Sequence, residues 1–311
     1  MKTLIIGASG FVGNYLIRQF SDVGWEVEAT CLPSENLTTA IPIHKLDILD
    51  PENIKSVLSC VKPEVIIHLA AQSSVALSWK NPALTVDVNI KGAINVLEAV
   101  KDINKSIRVL LIGSGEQYGA VSSDYIPIDE NVPQSPGNVY AVTKYTQDIL
   151  GDLYTKAYDL DIVRVRAFNH IGPGQSPQFV VSDFCKQIAM LEKSDGPYVM
   201  KVGNLAAKRD FTDVRDVVRA YYMLCNTGKK GQAYNVGSGV SVSIQNILDT
   251  IIGLSEKEIV VEIDQEKFRP VDVPIIEADI SKLINDTGWR PQICLEDTIK
   301  ETLEYWRESI G

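Results

Sequence analysis

Two short stretches of the chain gather groups able to move a proton. The segment GSGEQYG, residues 113–119, places a hydroxyl (Ser114), a carboxylate (Glu116) and a phenol (Tyr118) where the apolar run IRVLLIG stops. The segment YAVTK puts Tyr140 and Lys144 four residues apart, on one face of a helix. A phenol with a pKa of about 10 is a poor acid or base at neutral pH, and a neighbouring ammonium favours the phenolate and lowers that value. A Y-x-x-x-K pair is also an ordinary surface arrangement. It gains meaning from Ser114 at the end of a buried strand and from a glycine turn near the start of the chain.

That turn is GASGFVG, with Gly7, Gly10 and Gly13 directly after an apolar run. Gly7 suits a tight turn, Gly10 a backbone that approaches a pyrophosphate at a helix N-terminus, and Gly13 close helix packing. The spacing is G-x-x-G-x-x-G, not the G-x-G-x-x-G of the standard dinucleotide fingerprint. Phe11 and Val12 within the turn, Ile48, and Leu69, Ala70 and Ala71 after EVIIHLA are further candidate dinucleotide contacts. At the tip of the second strand, Thr30 and Cys31 stand where an acidic residue selects NAD and an arginine selects NADP. With no Asp and no Arg there, the reading leans to NADP(H), with NAD(H) as the alternative. Asp47, in KLDIL, is placed either to accept from an adenine amino group or to cap a turn.

The elements that position these groups alternate. Residues 3–7, 25–30, 64–70, 107–113 and 161–169 read as strands. Residues 11–24, 51–60, 83–104 and 139–158 read as helices. Such β-α-β alternation predicts an α/β fold, a doubly wound parallel sheet of the Rossmann kind with right-handed crossovers. After about residue 170 the pattern changes to Gly/Pro loops, a helix over 180–192, short strands and a final helix over 296–308. We therefore expect a dinucleotide-binding domain over 1–168 and a smaller C-terminal α/β substrate lobe over 169–311, with segments near 205–240 returning to the main sheet. In RDFTDVRD, Thr212 is expected to cap a helix starting near Val214.

Composition narrows the classes. The chain has 311 residues, of which 45% are hydrophobic and 23% charged, as in ordinary globular proteins. Its net charge of −10 repels nucleic acid and anionic membranes. No apolar run approaches the roughly 18 residues of a membrane span, and the N-terminus does not read as a signal peptide. Five cysteines without a C-x-x-C pair suit buried thiols in the cytoplasm, and three isolated histidines (44, 68, 170) argue against a catalytic metal.

Taken together, Gly7/Gly10/Gly13, HLAAQSSV, Ser114, Tyr140 and Lys144 resemble the extended short-chain dehydrogenase/reductase family. NIKGAINVLEAV, FNHIGPGQ, KVGNLAAKRDFTDVRD, YNVGSG and FRPVDVP extend the likeness along the whole chain. These motifs are most similar to the nucleotide-sugar branch that holds GDP-mannose 4,6-dehydratases and GDP-4-keto-6-deoxy-D-mannose reductases. The resemblance implies that Asn169 and the segment VGN (Val202 to Asn204) hold the nucleotide, that Arg209 and Arg269 neutralise its diphosphate, and that Ser73 and Ser74 touch the hexose. Arginine forks match phosphate oxygens, although Arg209 and Arg269 have acidic neighbours, and Ser73 or Ser74 could instead cap a helix.

By the same resemblance, dehydratases often carry an Asp at the position after Ser114, or a Ser in the GDP-mannose enzymes, and a glutamate base after that. This chain has Gly115 and Glu116. Gly115 offers no proton, which disfavours elimination of water and leaves hydride transfer, for which Ser114, Tyr140 and Lys144 suffice. The implied activity is NAD(P)H-dependent reduction of the C4 ketone of GDP-4-dehydro-6-deoxy-D-mannose to GDP-D-rhamnose. A dehydratase or 4-epimerase using Glu116 is the alternative within the family, and a non-catalytic dinucleotide-binding scaffold the alternative outside it. The resemblance also implies a homodimer formed by pairing the helices that hold residues 90–100 and 140–158.

Overall fold

The computed structural model describes residues 1–268 and 273–310. In the first half, β1 (Lys2–Ile6) runs through the glycine turn into α1 (Phe11–Asp22). There follow β2 (Glu26–Cys31), β3 (Ile43–Lys45), α2 (Pro51–Val61), β4 (Val65–His68), α3 (Val75–Lys80), α4 (Pro82–Val86), α5 (Gly92–Ile103), β5 (Arg108–Ile112), α6 (Val139–Tyr158) and β6 (Asp161–Ala167). The second half holds β7 (Asn169–Ile171), α7 (Val180–Glu192), β8 (Val199–Val202), β9 (Lys208–Asp213), α8 (Val214–Thr227), β10 (Ala233–Val236), β11 (Ser241–Ser243) and α9 (Ile244–Gly253). It ends with β12 (Val260–Ile263), β13 (Ile275–Ile276), α10 (Ser281–Thr287) and α11 (Leu295–Ser309).

Seven strands form one sheet in the order β10-β6-β5-β4-β1-β2-β3, every pair parallel. The strand order reverses between β1 and β4, which opens a crevice at their carboxyl ends, the place where such sheets take ligands. Period-2 alternation sends Leu4, Ile6, Ile66, Val109 and Leu111 to one face, against α2 and α5, and Ile5, Val65, Ile67 and Leu110 to the other, against α1 and α8. Each such side chain, fully buried, contributes roughly 1.5–3 kcal/mol. A separate apolar core joins α7, α9 and α11 to β8 and β9. There β9 lies between β11 and β13 and pairs further along with β7, and β12 pairs with β8.

Local sequence explains the boundaries. Asp50 accepts from the Glu52 and Asn53 amides at 3.1 Å ahead of Pro51, which starts α2. Asn138 accepts from the Ala141 amide at 2.8 Å and so fixes the first turn of α6, where Tyr140 stands.

Two expectations are corrected. The helix read over 83–104 is continuous but not uniformly α: between α4 and α5 lies a π-helical turn, Asp87–Lys91. It turns Asn89 inward, where Nδ2 donates to Thr143 Oγ1 (2.9 Å) and to the Gln72 carbonyl (3.0 Å). The cap of α8 is Asp213, not Thr212. Its carboxylate accepts from the Arg215 amide at 2.7 Å, while Thr212 continues β9. Of the five thiols, Cys31, Cys185 and Cys225 are buried, but Cys60 and Cys294 are exposed.

Candidate active site

A cavity of about 1000 Å³ follows the carboxyl ends of the parallel strands, from the glycine turn past Ser114 and Tyr140 to α7 and the segment after β8. Among the described residues, no group of three or more His, Cys, Asp or Glu side chains converges as a metal site would need.

The dinucleotide end is built from backbone. Gly7 has φ +85°, and a Cβ there would lie 2.6 Å from the Ala70 Cα. A Cβ on Gly13 would lie 2.0 Å from the Ala8 carbonyl oxygen. Gly10 caps α1 with no side chain, and a Cβ there would meet nothing closer than 3.9 Å. This is the one open glycine of the three, so the first amides of α1 are approachable and suit a pyrophosphate. Phe11, Val12, Ile48, Leu69, Ala70 and Ala71 line the same stretch. Thr30 is buried and accepts from the Gly7 amide at 3.1 Å, so it braces the turn. Cys31 and Asp47 line the cavity, and Asp47 Oδ1 accepts from the Leu49 amide at 2.9 Å, as a turn residue does.

One group here was missed by sequence reasoning. Glu35, in the loop after β2, lines the cavity and accepts from Ser9 Oγ of the glycine turn at 2.5 Å and from the Leu32 amide at 3.2 Å. Lys45 lies beside it, with Nζ donating to the Glu35 carbonyl and 3.5 Å from Cys31 Sγ. The acidic group was sought at the strand tip itself, whereas it stands four residues further on.

At the centre, Ser114, Tyr140 and Lys144 converge, all buried. Ser114 caps the 3₁₀ turn Gly115–Tyr118. Its Oγ accepts from the Glu116 amide at 3.2 Å, while its own amide donates to Gln117 Oε1. Burial pushes the Tyr140 phenol up to about 12, opposed by a hydrogen bond from Ser114 and reinforced by the Glu116 carboxylate. Lys144 donates to the Ile112 carbonyl (2.7 Å) and to Gln147 Oε1 (3.0 Å), and burial lowers it to about 7. The expected lowering of the Tyr140 pKa by Lys144 is therefore absent: desolvation dominates both groups. The phenol is therefore protonated at neutral pH, but burial makes it a weaker acid than free tyrosine, so its proton would move only as a substrate oxygen gains charge. Behind Lys144, buried His68 has no hydrogen-bond partner among the described residues and is held neutral, at about 3, by burial first and by Lys144 second.

Glu116 accepts from Asn138 Nδ2 at 3.4 Å and lines the cavity. Tyr118 turns away from it. The phenol is fully buried, donates to Asn235 Oδ1 (2.8 Å) and accepts from Arg166 (2.8 Å), which is itself paired with Asp148. The turn that carries Ser114 is thus anchored from beneath.

At the far end, Ser73, Ser74, Asn169, Asn204 and Arg209 all line the cavity. Ser74 also caps α3, accepting from the Leu77 amide at 3.2 Å. Arg209 donates to the Lys208 and Val273 carbonyls. Val202 is a correction: it is fully buried in the lobe core, and its neighbours Gly203 and Asn204 line the cavity instead. Arg269 lies outside the described residues. Trp79, Phe179, Asp183, Lys267 and Phe268 also line this end and were not anticipated, because no motif marks them.

A seven-stranded parallel sheet with Ser, Tyr and Lys at its carboxyl edge has the architecture of an extended short-chain dehydrogenase/reductase. The GDP-mannose 4,6 dehydratase family model matches residues 4–302, and the chain belongs to that family. It is 30% identical over 310 residues to GDP-6-deoxy-D-mannose reductase of Pseudomonas aeruginosa, covering 99% of this chain and 98% of the relative. A solved structure of RMD from P. aeruginosa complexed with NADPH superposes with a TM-score of 0.88 at 30% identity, over 99% of this chain and 100% of that one. UDP-glucose 4-epimerase of Thermus thermophilus, in complex with NAD, superposes as well: TM-score 0.88, 26% identity, 99% of each chain. Reductases, dehydratases and epimerases are thus similarly near, and the family acts on nucleotide sugars with nicotinamide dinucleotides.

Proposed function

We propose that the protein reduces the C4 ketone of GDP-4-dehydro-6-deoxy-D-mannose to GDP-D-rhamnose with NADPH, NADH being the alternative coenzyme. The observation that carries this reading is the set around Ser114: a buried, protonated Tyr140, a hydroxyl beside it, and at 115 a glycine with neither the carboxyl nor the hydroxyl that dehydratases carry there. A nicotinamide dinucleotide, when bound, would supply the hydride for C4. Tyr140 gives its phenolic proton to O4 as that oxygen gains charge. Ser114 Oγ accepts from the Glu116 amide and its hydroxyl hydrogen-bonds to Tyr140, so a ketone oxygen placed between the two would take over that proton and be polarised. Lys144 donates to Ile112 and Gln147, and in its ammonium form it keeps a third proton for a ribose hydroxyl.

In the same reading Gly7, Gly10, Phe11, Val12 and Gly13 cradle the pyrophosphate, and Ile48 and residues 69–71 flank the adenosine. Ser73 and Ser74 meet the hexose, and Asn169, Asn204 and Arg209 hold the nucleotide diphosphate. The division at residue 168/169 into a dinucleotide part and a sugar-nucleotide part follows the same assignment.

A second reading is favoured by one observation. Glu116 is retained at the cavity wall, close enough to Tyr140 to raise its pKa, where a dehydratase or epimerase would use a base. Incubation with GDP-mannose alone separates the two: the reductase reading expects no keto product, and conversion without added coenzyme would favour the second.

We further propose a homodimer. Val86, Val142, Ile149 and Leu153 are exposed apolar residues on the α4–α5 and α6 side, and a four-helix contact would cover them. Among the described residues no helix is long and apolar enough to cross a membrane. Five unpaired thiols suit a reducing compartment, so we place the protein in the cytoplasm.

A further inference from the structure

We propose that Asp183 and Lys267 read the base of the nucleotide and select guanine. The inference rests on the nucleotide-sugar reading above and adds which groups choose the base.

Asp183 stands in the first turn of α7 and lines the far end of the cavity, with Lys267 across from it. Their side chains are 31% and 36% exposed, open to a ligand. Neither is loose. Asp183 Oδ2 accepts from Lys267 Nζ at 3.0 Å and from Gln187 Nε2 at 2.8 Å. Gln187 is pinned in turn to β8, its Oε1 accepting from the Lys201 amide at 3.2 Å. Lys267 Nζ donates also to the Lys201 carbonyl at 2.9 Å, and its backbone presses on Gly203, where a Cβ would lie 2.9 Å from the Lys267 carbonyl oxygen. Among the described residues, Oδ1 of Asp183 accepts from no group, and the third N–H of Lys267 has no acceptor. The rings of Phe179 and Phe268, both exposed and both lining this end, offer apolar faces to a planar base.

A fixed carboxylate oxygen with two lone pairs, beside a fixed ammonium, matches one base edge. Guanine presents an acceptor (O6) next to two donors (N1–H and N2–H). Oδ1 takes the donors and Lys267 meets O6. Uracil and thymine have acceptors on both sides of a single donor, so one carbonyl would face the carboxylate. Adenine places an unprotonated ring nitrogen there. Each mismatch leaves a desolvated acceptor against a negative charge, which is how a polar site rejects a near-isostere.

The test is calorimetric titration of the full chain with GDP, IDP and UDP, without coenzyme, using wild type, Asp183→Ala and Lys267→Ala. Wild type is expected to bind GDP about tenfold or more tighter than UDP. IDP, which lacks the N2 amino group, should fall between. Asp183→Ala should lose most of the GDP preference while UDP affinity stays within about twofold, and Lys267→Ala should weaken GDP and IDP alike. Equal weakening of GDP and UDP in Asp183→Ala would overturn the assignment, as would a wild-type GDP preference that Asp183→Ala leaves intact. In those cases the nucleotide-sugar reading survives. If wild type binds none of the three nucleotides, that reading falls together with this one.

Discussion

Gly115 lies flat against the ring of Phe168. A Cβ added at Gly115 would sit 3.0 Å from Phe168 Cγ and 3.1 Å from both Cδ atoms. Phe168 is itself buried, beside the Tyr118 ring. A side chain after Ser114 would therefore crowd the Phe168 ring, which would have to shift to admit it. Gly115→Ala should cost about 1–3 kcal/mol by overpacking, and Gly115→Asp more, since it also buries a carboxylate. Urea denaturation measures both. We expect Gly115→Asp to gain no dehydration of GDP-mannose; appearance of a keto product would mean that the cavity accepts an acid there.

Lys144 gives a pH signature. Burial lowers it from the usual lysine range to about 7 in the folded protein. Between about pH 7 and about 10.5 the unfolded chain therefore binds a proton that the folded chain does not, so this group makes stability rise with pH across that window. Lys144→Met removes the dependence. The variant should be more stable than wild type at pH 6, with the gap closing towards pH 10. A gap that widens with pH would contradict the burial argument. Tyr140, held near 12, stays protonated throughout, so the pH profile of ketone reduction should show no loss from the phenol below about pH 10.

Glu35 bears on the choice of coenzyme. Its carboxylate is tied to Ser9 of the glycine turn and lines the cavity, where it would repel a ribose 2′-phosphate. Lys45 partly offsets it. Glu35→Gln should tighten NADPH binding about five- to tenfold and leave NADH nearly unchanged. Fluorescence titration of the coenzyme at fixed ionic strength reads this directly. Equal affinities before and after the change would place the carboxylate away from the 2′ position.

Much of this site was legible because its parts obey local rules. The glycine turn, the strand that ends at Ser114 and the helix that carries Tyr140 and Lys144 are each set by contiguous residues, and the structure brings them together. What escaped was set by tertiary contact. Glu35 and Asp183 carry no motif and matter only because distant segments fold beside them. The π turn at Asp87–Lys91 follows from Asn89 finding Thr143 and Gln72, and no period in the sequence reports that. Val202 was misplaced for a simpler reason: it is the last residue of β8 and points into the lobe core, whereas Gly203 and Asn204 lie past the strand end, where the chain turns towards the cavity. The Lys144–Tyr140 coupling was inferred from spacing alone, which cannot reveal that burial outweighs the neighbouring charge.

The central claim is hydride transfer to a keto-sugar, and absorbance at 340 nm tests it most directly. The protein is mixed with GDP-4-dehydro-6-deoxy-D-mannose and either NADPH or NADH, with GDP-mannose as control. Coenzyme oxidation with the keto-sugar alone, abolished in Tyr140→Phe, is the predicted result. No oxidation with either coenzyme, while GDP-mannose turns into a ketone unaided, would contradict it and make Glu116 the working base.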